Sequence, residues 1–133
     1  LSLLTSAFNP AGNSANAILT GVPCDPTVMV GDFVRMDAGI AVKALADTFE
    51  NSNVLGLVEQ VNLDATCTVR INGVSASIFS GLDTAAEYYL SETVPGAITV
   101  LAPIASGTVV LKLGQPFDDT RLIVLKGSRI VRL

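Results

Sequence analysis

Chemistry in this chain would have to start from two cysteines, the serines and scattered carboxylates, because histidine is absent. That absence removes the commonest general base and the commonest transition-metal ligand together. Cys24 and Cys67 stand apart, neither in a C-x-x-C, with no imidazole to activate them. They could pair in an oxidising compartment, but they read as free, partly buried thiols. The serines include no G-x-S-x-G elbow. A Ser–Lys pair on Lys43, Lys112 or Lys126 is the one nucleophilic arrangement the composition leaves open.

The carboxylates are no better placed. Asp118 and Asp119 are adjacent, so their side chains diverge in an extended segment, and the pair reads as a turn before a strand. Asp25, Asp32, Asp37 and Asp47 are spread and match no calcium loop. No G-x-x-x-x-G-K cradle is present. The Gly- and Ser-rich run from Gly73 to Gly81 lies in or beside an expected strand, with no helix after it to supply a dipole. Tyr88 and Tyr89 could stack a sugar or a base, but neighbours in a strand face opposite ways, so at most one ring is displayed. The expectation is therefore no catalytic residue, no cofactor and no metal.

The elements that would carry any site are strands. Thr27–Met36 is rich in Val and Phe and ends at an Asp-Ala-Gly turn, after which Ile40–Ala44 returns. Val54–Val61 follows, with Gly56 as an expected bulge. Cys67–Ile71 and Val74–Phe79 flank Asn72-Gly73, which predicts a tight hairpin. Tyr88–Ser91 and Ile98–Leu101 flank Val94-Pro95-Gly96-Ala97, a sequence fitted to a type II turn. Thr108–Leu113 is one more strand, and Arg121–Leu125 with Arg129–Leu133 form an expected final pair. The helical candidates, around Leu45–Glu50 and Thr84–Glu87, are too short to stand alone. Nine to eleven short strands with regular turn signals predict an all-β fold: a single-domain β-sandwich or small β-barrel of antiparallel strands over residues 25–133.

Residues 1–24 differ. They carry no charged side chain and are punctuated by Asn9-Pro10, Gly12-Asn13 and Gly21. They read as an extended, fairly apolar N-terminal arm laid over a neighbour or over the chain's own body. The arm resembles no signal peptide, since it lacks a basic start and its apolar run is broken. No segment reaches the ~18 apolar residues that span a bilayer, so no membrane partner is expected.

Half of the 133 residues are apolar and 15% are charged, against about 25% charged in an average chain. A surface so poor in charge implies cover by other chains. The net charge of −4 disfavours nucleic acid. Charge is also unevenly spread: Arg121, Lys126, Arg129 and Arg132 crowd the last 13 residues without an acid. Tail and middle could therefore help chains dock on one another.

Gly31–Gln60 and Ala86–Gln115 echo each other. Each runs strand, Gly turn, strand, loop, strand with a glycine, although few residues are identical. As a duplication, 31–60 and 86–115 would be two three-strand units in one sheet or barrel, bridged by the Asn72-Gly73 hairpin.

Within the second unit, Tyr88, Tyr89, Leu90, Ser91, Thr93, Pro95, Gly96, Ile98 and Thr99, then Gly107, Val109, Val110, Leu113 and Gly114, resemble a pattern of tailed-bacteriophage virion proteins. Gly31–Asp37 and Asn53–Glu59 resemble the upstream strands of such proteins. The pattern occurs in small head-decoration proteins and in pieces of tail fibres. The resemblance implies a non-enzymatic virion part, with a capsid decoration (cement) protein on the outer shell as the first expectation. Its partners would be the major capsid protein or other virion subunits, and it would be a homo-oligomer. A tail, collar or fibre component and a receptor- or glycan-binding β-domain are the alternatives. Contacts are expected on the arm, at Leu1, Leu3, Leu4, Phe8, Ile18 and Leu19, and on the basic tail, at Arg121, Arg129 and Arg132. Removing residues 1–20 is then expected to weaken attachment more than folding.

Overall fold

The computed structural model describes residues 17–133. Leu1, Leu3, Leu4 and Phe8 lie outside the described residues. The described residues form twelve short strands: β1 Ile18–Pro23, β2 Phe33–Asp37, β3 Ile40–Lys43, β4 Val54–Val61, β5 Thr66–Arg70, β6 Gly73–Val74, β7 Tyr88–Leu90, β8 Ile98–Thr99, β9 Val109–Val110, β10 Lys112–Pro116, β11 Leu122–Val124 and β12 Ile130–Val131. They make several antiparallel sheets, so the fold is all-β. Two sheets have five strands, in the orders β1-β5-β4-β2-β3 and β6-β11-β10-β7-β8, and β12 pairs with β9 in a third.

The two five-stranded sheets share one connectivity. In each, a central strand pairs with its hairpin partner on one side and with a bulged strand on the other. Across β2 and β4, Val34 faces Gly56 and Arg35 faces Val54, so Leu55 is the extra residue. Across β7 and β10, Tyr88 faces Gly114 and Tyr89 faces Lys112, so Leu113 is the extra residue. Both bulges place a glycine where the next strand crowds in. A Cβ on Gly56 would overlap the Arg70 carbonyl oxygen of β5, and one on Gly114 would overlap the Ile123 carbonyl oxygen of β11. Only glycine fits there.

Alternation along β2 and β4 feeds two cores. Val34 and Val58 join Val22, Cys24, Ala41, Cys67 and Val69 in a cluster of small side chains. Phe33 and Leu57 face the other way, into a larger cluster with Leu90, Leu111, Leu113, Leu122 and Val124. Burying a Leu or Phe of this kind stabilises by roughly 1.5–3 kcal/mol, so the larger cluster dominates the packing energy. Backbone bonds also join the sheets. Phe33 N–H donates to Gly96 O at 2.9 Å, Gly96 N–H to Ala44 O at 2.7 Å and Ala46 N–H to Ser91 O at 2.8 Å.

The structure corrects several expectations. Asn72-Gly73 is not a hairpin turn. β5 already pairs with β1 on one side and β4 on the other, so it has no free edge for β6. β6 crosses instead to β11, and the Glu59 carboxylate receives Ala76 N–H at 2.8 Å as the chain leaves. The two echoed units lie in two sheets, not one. The last two strands do not pair with each other: β11 pairs with β10 and β6, and β12 with β9. Residues 27–32 are turn, because the Asp25 and Asp32 carboxylates take the Thr27 and Met29 N–H groups and Gly31 has φ +96°. Residues 18–23 of the expected arm are strand β1, so a deletion through residue 20 would remove half of a paired strand.

Candidate interaction surface

Of the described residues expected to make contacts, Arg121, Arg129 and Arg132 lie toward the C-terminus and Ile18 and Leu19 on β1. Arg121 is spent on its own turn. Its Nε and Nη2 donate to Asp118 Oδ2 at 2.9 and 2.5 Å, and its guanidinium sits 4.6 Å from the Phe117 ring. Asp118 also accepts Thr120 N–H at 3.0 Å and Arg121 N–H at 2.9 Å. The Arg121 guanidinium, helped by these N–H groups, holds the Asp118 carboxyl down at about 2. The Asp118-Asp119 pair is therefore a turn device.

Arg132 closes the tail. Its Nε donates to Pro103 O at 2.9 Å, while Arg132 N–H donates to Thr108 O at 2.8 Å and its carbonyl accepts Gly107 N–H at 2.7 Å. Arg129 lies over the Phe49 ring at 3.6 Å and donates from Nη1 to Phe49 O at 2.5 Å. Lys126 Nζ donates to Val54 O at 2.6 Å and Leu55 O at 3.4 Å. These three tail cations are bound to carbonyl oxygens. Among the described residues none meets a carboxylate, whereas Lys43, Arg70, Lys112 and Arg121 each form an ion pair.

Arg129 and Lys126 line one cleft of about 380 Å³ with Phe49, Ser52, Asn53 and Ser128. Burial, and then the Arg129 charge, pulls the Lys126 ammonium below its ordinary range. Arg121 and Arg132 are not part of the cleft. Sequence reading missed Phe49. A lone aromatic ring in the polar loop ALADTFENSN was the available signal.

Ile18 is half-buried in β1 and Leu19 is exposed, beside Met36 and Leu55. Larger apolar side chains stand in water elsewhere: Leu101, Ile104, Leu125, Ile130 and Leu133 are between 62% and 107% exposed.

The reactive groups are buried or engaged. Cys24 and Cys67 are both buried and free. Burial, and then the neighbouring Cys24 thiol, pushes the Cys67 thiol up to about 12, which holds it protonated. Tyr88 is buried with its hydroxyl accepting Asp83 N–H at 2.8 Å. Among the described residues no group of three or more Cys, Asp or Glu is placed to hold a metal ion. No helix among them is long and apolar enough to cross a membrane. No family model, no curated protein and no solved structure matches the chain.

Proposed function

We propose that the chain is a non-enzymatic structural subunit of a tailed-bacteriophage particle, most specifically a capsid decoration protein on the outer shell. The observation that carries the assembled state is the surface. Leu101, Ile104, Leu125, Ile130 and Leu133 stand exposed on a chain with 15% charged residues, a surface that another subunit would cover. The virion assignment itself is supported by the resemblance over Tyr88–Thr99 and Gly107–Gly114. Such a subunit stabilises a shell by linkage, binding the assembled lattice better than the free subunits.

The fold suits that work. The outer strands of the first sheet, β1 and β3, meet at a bridge between Cys24 and Ala41, with Asp25 N–H donating to Ala41 O at 2.9 Å. We read this sheet as a small closed barrel with the second sheet packed on it, which leaves few free edges. A glycan-binding reading draws less support. The exposed rings of Phe49 and Phe117 are each covered by an arginine, and Tyr88 is buried.

Immunogold electron microscopy of particles from the source lysate tests the proposal. Label spread over heads is the expected result. Label at one vertex or on tails would move the subunit to the collar or fibre, and a soluble chain with unlabelled particles would overturn the virion reading. Deleting residues 1–16, which spares β1, is expected to weaken particle attachment while leaving the melting temperature unchanged.

A further inference from the structure

We infer that the cleft between the Phe49 loop and the C-terminal tail is a carboxylate-binding site, with Arg129 and Lys126 as its two cationic contacts. This stands on the cleft alone and does not depend on the virion reading. The first observation is that two like charges are held together without an acid between them. Lys126 and Arg129 line the same space, and no acidic residue lines it. Asp47 and Glu50 flank Phe49 in sequence, but neither pairs with the two cations among the described residues. Asp47 instead accepts the Asn51 side-chain amide at 2.9 Å. Burial, and then the Arg129 charge, lowers the Lys126 ammonium from its ordinary range.

The second observation is donor surplus. A guanidinium carries several N–H donors and an ammonium three. Among the described residues Arg129 uses one of its donors, and Lys126 reaches two carbonyl oxygens. The two cationic residues share the cleft with Ser128 and Asn53, whose side chains make no hydrogen bond among the described residues. The third is preorganisation. Stacking on Phe49 at 3.6 Å and the bond to Phe49 O fix the guanidinium plane. Its free edge can then meet a planar carboxylate without first losing rotamer freedom. The carboxylate can come from a small free acid or from an acidic side chain of another polypeptide.

The test is an amide NMR titration of the full chain with N-acetylglutamate, with a capped tri-glutamate peptide and with inorganic phosphate. Saturable shifts confined to residues 49–54 and 126–129, suppressed by salt, are expected for the two carboxylate probes. Peptide affinity exceeding that of N-acetylglutamate by about tenfold assigns a polypeptide side chain, and equal affinity assigns a small acid. R129Q and K126M are each expected to lose most of the affinity. Both side chains also fasten the tail to carbonyl oxygens, so thermal melts accompany each variant, and K126R, which keeps the charge, is expected to retain most of the affinity that K126M loses. Absence of these shifts, shifts spread over all lysines and arginines, or phosphate binding about tenfold tighter than either carboxylate would each overturn the assignment.

Discussion

Gly56→Ala is the sharpest mechanical test of the fold. The added methyl would overlap the Arg70 carbonyl oxygen and lie 2.8 Å from a methyl of Val69. The clash is with backbone on one side, so no rotamer change relieves it, and β5 would have to retreat by about 1 Å. Overpacking of this kind costs about 1–3 kcal/mol. Stretching the β4–β5 ladder near the Leu57–Arg70 pair adds about 1 kcal/mol for a weakened bond. The sum is a loss of about 3 kcal/mol, or roughly 10 °C in melting temperature for a chain of this size. Urea unfolding followed by circular dichroism reads it as a lower midpoint at unchanged slope. Gly39→Ala is the control. Nothing lies within 4 Å of its added methyl, but its φ is +85°, so it costs about 1–2 kcal/mol from backbone strain alone. Gly114→Ala should cost at least as much as Gly56→Ala, because the Ile123 carbonyl oxygen stands even closer to its added methyl. A Gly56→Ala protein no less stable than Gly39→Ala would refute the close approach of β4 and β5.

Three further outcomes follow from single groups. Glu59 accepts Arg70 Nε at 2.6 Å and Ala76 N–H at 2.8 Å with both ion-pair side chains largely buried; Glu59→Ala is expected to cost about 3 kcal/mol in urea unfolding, since it leaves a buried guanidinium unpaired. Asp118 has its native pKa lowered from 3.8 to about 2, so its contribution to stability is complete above the unfolded value and is lost as pH falls toward 2. Asp118→Asn should remove that acid-side dependence, and wild type and variant should converge near pH 2 in thermal melts. Burial, and then the Cys24 thiol, raises the Cys67 thiol well above its ordinary range, so it stays protonated at pH 8. Timed maleimide labelling read by intact mass should leave at least one native thiol unmodified long after both react in urea; rapid double labelling of the native chain would contradict the packing.

What could be read from the residues was local. The Pro-Gly turn forms as its types require, with Gly96 at φ +77° and Ala97 N–H donating to Val94 O at 3.1 Å. Val54–Val61 is a strand over its whole length and bulges beside Gly56. Pairing partners were not legible, because they depend on which strand edges remain free. Asn72-Gly73 has the chemistry of a tight turn, yet β5 is flanked on both sides before β6 could reach it. The site failed for a related reason. Arg129 was visible as a tail cation, but Phe49 lies 80 residues earlier in the chain, and no local pattern announces a contact at that separation. Arg121 misled because its partner Asp118 is three residues away, too close for the tail to be counted as uncompensated.

The two echoed segments show which parts of a sequence a backbone constrains. Their buried residues differ: the first segment sends Val34, Ala41 and Val58 into the smaller cluster and Phe33, Val54 and Leu57 into the larger one, whereas the second sends Leu90, Leu111 and Leu113 into the larger. Side chains of such different volume cannot be exchanged without cavities or overpacking, so identity between the segments is low. Beside the extra bulge residues Leu55 and Leu113, the positions in common are glycines: Gly39 and Gly96 at the hairpin turns, Gly56 and Gly114 at the bulges. Those four are required by positive φ or by the approach of a neighbouring carbonyl, and neither demand depends on how the core is filled. A pairing order can therefore recur in two sheets while most of the residues that pack them differ, and the echo between the segments shows mainly in glycine spacing.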